Sequence, residues 1–390
     1  MAIRTRGQKV ALSQKQLHAF LDDLFGETDI HAARLLSVQH ALLGVLHAAS
    51  LAVHLIGRAM AQVRNKSPKH AIKQVAGLLD NTALPARLFF PSWIRFVVGL
   101  RTEVVVALDW TDFDKDGHST LALYLITSHG RATPLLWKTF EAKQLKEKKG
   151  QYERELVMLL NDALKETVKV TILADRGFGS EDFYDDLDFF GFDYIIRFRS
   201  NIYVTNAAGE TKKANEWLLA SGRAIKIEKA CVTEKKTQIG AVVVVREARM
   251  KQVWCLATNR GELAASEVVK LYGRRFSIEE TFRDQKDDRF GMGLSQQKVG
   301  ACDDRDRLLL LGALAEGLLT LLGAAGEKLG LDRTLKSNTA KKRTMSLFNQ
   351  GRYWYDAIPY MDDEKLKQLM SAFEELLRVQ EWMTQTFGIL

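Results

Sequence analysis

The stretch Val268–Arg289, VVKLYGRRFSIEETFRDQKDDR, organises the reading of the whole chain. It holds one Gly, no Pro and many helix-formers, which predicts a helix of several turns. Tyr272, Arg275, Glu279 and Lys286 stand at offsets 0, 3, 7 and 14. At 100° per residue they fall at about 0°, −60°, −20° and −40°, a narrow stripe roughly 21 Å long. Leu271, Ile278 and Phe282 cluster beside it, at about −80° to −120°. The apolar residues would fix the helix to a core and leave a tyrosine, two cations and a carboxylate facing a shared neighbour. An arginine one turn before a glutamate is equally what surface pairing on a helix produces, so the pattern alone leaves both readings open.

The spacing Tyr, two residues, Arg, three residues, Glu, six residues, Lys resembles the signature of cut-and-paste transposases of bacterial insertion sequences. It is the mark of insertion-sequence family four, within the wider class that uses a catalytic Asp-Asp-Glu (DDE) triad. All four signature residues match, at Tyr272, Arg275, Glu279 and Lys286. The resemblance implies two further aspartates and a fold able to gather them.

At 390 residues the chain is long enough for two or three domains and a sizeable core. A net charge of +8 and a pI near 9.2 favour a polyanionic partner, nucleic acid or an acidic membrane surface. Cys231, Cys255 and Cys302 are few, scattered and odd in number, which argues against a disulfide framework or a zinc site and fits a reducing cytoplasm. MAIRTRGQKVALS lacks the apolar core of a secretory signal. Two apolar runs invite a membrane reading. Ala41–Met60 carries His47, His54 and Arg58, and Leu308–Gly326 carries Glu316. Charges and imidazoles inside a span are costly, so both runs read as buried helices of a soluble protein.

Residues 1–100 read as helical, with one helix over Gln14–Phe25, a longer one over Ala32–Val63, and a third opening at Ser67-Pro68, an N-cap followed by proline at the first helical position. Residues 1–80 hold 10 Lys and Arg, among them Lys66, Lys69 and Lys73, against 5 acids, so this end carries +5. Two helices joined by a short basic connection suit insertion into a DNA groove, and equally suit any helical bundle. The family resemblance implies a helical domain that binds the transposon end. His40, His47 and His54, seven residues apart, are about 10.5 Å apart along a helix, too far to share a metal, and read as one solvated polar face.

From Arg101 the pattern changes to strands. TEVVVALDW reaches Asp109; DFDKDG is turn chemistry; HSTLALYLITS and ATPLLWKTF follow as strands. The turn begins like a calcium loop, but Leu123 stands at the twelfth position, where a bidentate Glu is required. Gln151–Thr167 is an amphipathic helix, Val168–Phe178 a buried strand that ends on Asp175, and Phe192–Ser200 a further strand after a short helix from Ser180. Three strands, a helix, a strand, a helix and a strand is the order of a ribonuclease-H-like α/β fold, with Asp109 and Asp175 where that fold places its first two carboxylates. Asp175-Arg176-Gly177 also resembles the second-aspartate motif of the same transposases.

The chain thus reads as a helical DNA-end-binding domain (1–100), a ribonuclease-H-like core (101–200), a β-rich insertion of antiparallel strands (201–258), the signature helix of the core (259–300) and a helical C-terminal region (301–390), with helices over Arg305–Ala325 and Asp362–Trp382. WCLATN resembles the family segment in which a tryptophan stacks on a flipped base; Trp254 is the corresponding residue, and an ordinary packed strand aromatic is the other reading.

The resemblance implies a DNA transposase that binds the terminal inverted repeats of its own element, cuts and joins strands with Asp109, Asp175 and Glu279 on two magnesium ions (manganese as substitute), and passes through hairpin ends. Tyr272, Arg275, Lys286, Trp254, Lys66, Lys69 and Lys73 would contact DNA, both transposon end and target. It implies a homodimer in a synaptic complex, no membrane, and a cytoplasmic location on the bacterial nucleoid. Two alternatives stand beside it: a non-catalytic DNA-binding descendant acting as repressor or scaffold, and another ribonuclease-H-like nuclease. Asp112 and Glu280 are rival carboxylates, but strand alternation sends Asp112 to the face opposite Asp109, and Glu280 lies about 100° off the stripe.

Overall fold

A computed structural model describes residues 14–378, apart from 234, 249 and 290. The N-terminal stretch tested for a secretory signal and the last four residues of the helix expected over Asp362–Trp382 lie outside the described residues. Five helices come first: α1 (Gln14–Phe25), α2 (Ala32–Ala48), α3 (Val53–Val63), α4 (Pro68–Leu79) and α5 (Phe90–Val98). The single helix expected over Ala32–Val63 is corrected: the chain bends by 99° between α2 and α3. Ala49 turns left-handed at φ 46° and ends α2. Ser50 Oγ then accepts from the Ala52 amide at 3.1 Å, and the Leu51 amide donates to the Met292 carbonyl at 2.8 Å. One local bond and one to a distant segment thus replace the helical ladder at this corner.

The core follows with β1 (Glu103–Phe113), β2 (His118–Leu125), β3 (Thr133–Glu141), α6 (Lys149–Ala163), β4 (Lys169–Ala174), α7 (Glu181–Phe189) and β5 (Asp193–Phe198). β1 continues past Asp109 to Phe113, so Asp112 and Phe113, expected in the turn, are strand residues, and the turn itself is Asp114–Gly117. The remaining strands are β6 (Tyr203–Thr205), β7 (Thr211–Lys213), β8 (Ile225–Glu228), β9 (Cys231–Val232), β10 (Thr237–Gln238), β11 (Ala241–Val245) and β12 (Trp254–Thr258).

They form an eight-stranded mixed sheet in the order β3-β2-β1-β4-β5-β12-β11-β8 and a four-stranded sheet in the order β10-β9-β6-β7. β1, β4 and β5 are parallel; the other pairings are antiparallel. This α/β arrangement is compatible with a ribonuclease-H-like core. The strands between residues 201 and 258 do not stay together as one insertion. β11 (AVVVV) and β12 (WCLAT) are apolar runs that need cover on both faces, so with β8 they extend the main sheet. The short, polar β6, β7, β9 and β10 form the separate sheet.

The run Val268–Arg289 is likewise not one continuous α-helix. α8 (Ala265–Gly273) passes through a 3₁₀ turn (Arg274–Phe276) into α9 (Ser277–Lys286). Gly273, a weak helix-former, ends the first segment, and the tighter turn follows it. The C-terminal part consists of α10 (Cys302–Lys328), α11 (Leu347–Ala357) and α12 (Asp363–Arg378). α10 is long and apolar enough to cross a bilayer, yet 94% of its most apolar stretch is buried inside the protein. α11 crosses it so closely that a Cβ at Gly351 would land on the Leu319 carbonyl, and one at Gly323 on the Leu347 carbonyl. The helical histidines do not form one solvated face: His47 Nδ1 bonds the Tyr355 hydroxyl of α11, and burial, then Arg64, lowers His40 to a pKa of about 4.

Candidate active site

Register sets the first two carboxylates. The last parallel pair of β1 and β4 is Leu108 with Ala174, so Asp109 and Asp175 follow it side by side, Asp109 within β1 and Asp175 just past the carboxyl end of β4. Here β4 stops, while β1 runs on against β2 alone. Clefts of open α/β sheets lie at such carboxyl edges.

The third carboxylate arrives from α9, and Arg275 joins it to the strands. Arg275 Nη1 donates to Asp109 Oδ2 at 3.0 Å and Nη2 to Glu279 Oε1 at 2.7 Å. The Arg275 side chain is 5% exposed, Asp109 20% and Glu279 49%. Burial opposes the arginine's charge, but Tyr272, Asp109, Asp175 and Glu279 outweigh it and raise its pKa. Burial pushes Asp109 up to about 6, against the pull of Arg275. The Tyr272 hydroxyl sits 3.5 Å from Asp175 Oδ1, and Arg197 Nη1 approaches the same oxygen to 3.9 Å.

Lys286 closes the other end of the stripe. Its ammonium donates to the Asp112 carbonyl at 2.6 Å and lies 4.4 Å from the centre of the Phe113 ring. Burial lowers its pKa. The Arg305 guanidinium lies over the same ring at 3.8 Å and pairs with Asp116, tying the β1–β2 turn to α10. Trp254 is half-buried, its ring 5.1 Å from Tyr272 and 5.9 Å from Phe276, which is itself 40% exposed. Lys66, Lys69 and Lys73 are exposed and, among the described residues, form no ion pair. Of the rival carboxylates, Asp112 accepts from Ser119 Oγ at 2.6 Å and Glu280 pairs with Arg283 at 3.0 Å, so neither joins the cluster around Arg275.

Residues outside the signature hold α9 in place. Its inward face mixes apolar and polar groups: Thr281, Asp284 and Gln285 are buried beside Ile278 and Phe282. Thr281 Oγ1 exchanges hydrogen bonds with the Ala132 backbone at 3.0 and 2.8 Å, and Arg131 pairs with Asp284. Gln285 accepts from the Tyr124 hydroxyl at 3.0 Å and donates to Glu316 Oε2 at 3.3 Å. Burial, then the nearby Asp284 charge, raises the Glu316 pKa well above its ordinary value. Such bonds fix rotation and height, which apolar packing alone leaves softer. A glutamate inside a leucine-rich run was the sequence signal for this network, but its partners lie far away in the chain.

The donor set of Asp109, Asp175 and Glu279 is all carboxylate oxygen, the chemistry that suits magnesium or manganese. Among the described residues, however, no three His, Cys, Asp or Glu side chains are gathered to hold an ion as they stand. Arg275 occupies one carboxylate oxygen on each of two of the three candidates. The family described as Transposase DDE domain matches residues 101–297, the span that carries all of these carboxylates. No curated protein matches the chain.

Proposed function

This chain belongs to the DDE transposase family, and from that premise we propose that it is the transposase of an insertion sequence of family four, binding its element's terminal inverted repeats and cutting and rejoining DNA strands. Asp109, Asp175 and Glu279 act as the catalytic triad on a ribonuclease-H-like core. Asp109, Asp175 and Glu279 would hold two divalent cations, whose chemistry would be to activate water, or the 3′-hydroxyl of a DNA strand, and to neutralise charge on the leaving oxygen. Tyr272, Arg275 and Lys286 orient phosphates of the transposon end, Arg275 as a fork and Lys286 as a point charge. Trp254 offers a half-exposed indole for stacking on a displaced base, and the exposed Lys66, Lys69 and Lys73 offer charge to the backbone. The protein acts as a homodimer in a synaptic complex, in the bacterial cytoplasm on the nucleoid, and its cut ends pass through hairpins.

One observation carries the reading. Asp109 and Asp175 stand side by side just past the last parallel pair, and Arg275 links Asp109 to Glu279. The test is nicking of supercoiled plasmid with magnesium, manganese or chelator, comparing wild type with Glu279→Gln after both are shown to fold and bind DNA. Metal-dependent nicking lost in the variant supports the proposal. Binding without cutting, even on the element's own ends, would favour a repressor or scaffold.

A further inference from the structure

We propose that Arg275 makes metal loading of the site conditional on a nucleic-acid phosphate, because in the free protein its guanidinium stands where a divalent cation is needed. This rests on the reading of Asp109, Asp175 and Glu279 as metal ligands. Among the described residues Arg275 is the one cation that bridges two of them, with Nη1 on Asp109 at 3.0 Å and Nη2 on Glu279 at 2.7 Å. Lys286 bonds a backbone carbonyl instead, and Arg197 comes no nearer to Asp175 than 3.9 Å.

The two roles of Arg275 exclude each other. A phosphate is gripped by two neighbouring N–H groups of the guanidinium. Both terminal nitrogens are engaged with carboxylates, and Nε is buried without a hydrogen-bond partner. Each terminal nitrogen keeps a second N–H, but the guanidinium is covered, its side chain only 5% exposed, so a forked grip on phosphate requires at least one covering carboxylate to move aside. The carboxylates so released, one of them mostly buried, lose their compensating cation, and an uncompensated buried charge is strongly unfavourable. A divalent cation fills that need. The exchange runs equally in the other direction, since metal on Asp109 and Glu279 frees the guanidinium for phosphate. Linkage then demands that phosphate and metal raise each other's affinity by one common factor. Without DNA, a metal must compete with a pre-positioned cation, which keeps the free protein from loading and cutting at random.

The test is titration of Mn2+ into the full-length protein, with free Mn2+ read by electron paramagnetic resonance. Wild type, Arg275→Gln, Arg275→Lys and the double variant Arg275→Gln/Glu279→Gln are compared, each with and without a short mixed-sequence DNA duplex. Without DNA, Arg275→Gln is expected to bind Mn2+ on the order of tenfold tighter than wild type, and the double variant to lose that gain. Duplex should tighten Mn2+ binding to wild type and leave Arg275→Gln unchanged. If Arg275→Gln does not fold, Arg275→Lys carries the comparison: it keeps the charge but lacks the two spaced terminal nitrogens that bond Asp109 and Glu279 separately, so it holds the pair less firmly and should bind Mn2+ tighter than wild type. Equal or weaker Mn2+ binding in the folded variant overturns the proposal, as does a gain that survives Glu279→Gln or an equal response to duplex. The readout needs no strand cutting, so a protein that fails to cut DNA sinks the transposase reading while leaving this measurement decisive.

Discussion

Gln285 donates to the buried Glu316 at 3.3 Å, joining the helix that carries Glu279 to the long helix α10. Glu316 is buried, its pKa is raised by burial and then by Asp284, and its Oε1 has no hydrogen-bond partner. Burial thus favours the neutral carboxylic acid at this position.

That state makes stability depend on pH with a definite sign. The folded-state pKa lies above the unfolded one, so the contribution is fully present below the unfolded pKa and is lost as pH rises toward the folded one. Each pH unit in that window removes up to about 1.4 kcal/mol. Glu316→Gln keeps the shape and removes the titration. Urea unfolding should find it more stable than wild type at pH 8 and close to wild type at pH 4. The same difference at both pH values would show that Glu316 is not held neutral.

Gln285→Leu removes the bonds to Tyr124 and Glu316, two of the contacts that hold α9, while keeping the site filled. Misplacing a reacting group by about 1 Å can cost on the order of a hundredfold in rate. We expect metal-dependent cutting to slow by roughly that factor, with DNA affinity nearly unchanged. An equal loss in both would assign Gln285 to overall stability.

Asp109→Asn, Asp175→Asn and Glu279→Gln should each slow strand cutting at least about a thousandfold, roughly 4 kcal/mol of barrier, while leaving DNA binding intact. Asp112→Asn and Glu280→Gln are the matched controls. The hydrogen bond from Lys286 goes to the Asp112 backbone carbonyl, which Asn keeps, and Glu280 pairs on the surface with Arg283. Gel assays of nicking and binding on one plasmid separate the outcomes; cutting lost in a control would reassign the triad.

Trp254→Ala should weaken binding to the element's end by about 1–3 kcal/mol, and Trp254→Phe by less, because a stacked base needs an aromatic face. Fluorescence anisotropy with an end duplex measures this, alongside thermal melting. A lowered melting temperature with unchanged affinity would make Trp254 a packing residue against Tyr272 and Phe276.

Gly351→Ala and Gly323→Ala push a methyl group into backbone carbonyls at the α10–α11 crossing. Overpacking of this kind costs about 1–3 kcal/mol. Chemical denaturation should show it; full stability in both variants would mean that the helices separate more easily than their contact implies.

Much of this protein was legible in the chain alone. The apolar runs ending at Asp109 and Asp175, and the spacing from Tyr272 to Lys286, are local patterns, and local pattern decides strands, helices and the order of carboxylates. Where a neighbour decided the outcome, the sequence was silent or misleading. Ala32–Val63 reads as one helix because nothing in it forbids one, and the corner at Ala49 is held by a bond from Leu51 to Met292, more than two hundred residues away. β11 and β12 read as part of a separate insertion, but β12 pairs with the edge of β5, which places their apolar residues in the main sheet. The stripe on the signature helix predicts that Tyr272, Arg275, Glu279 and Lys286 share a neighbour. It does not say that Arg275 is bonded to two of the proposed metal ligands, because a side chain's partner is chosen by burial and charge gathered from distant segments. Sequence therefore determined which chemical groups the candidate site offers, and the tertiary structure decided which of them hold one another before any ligand arrives.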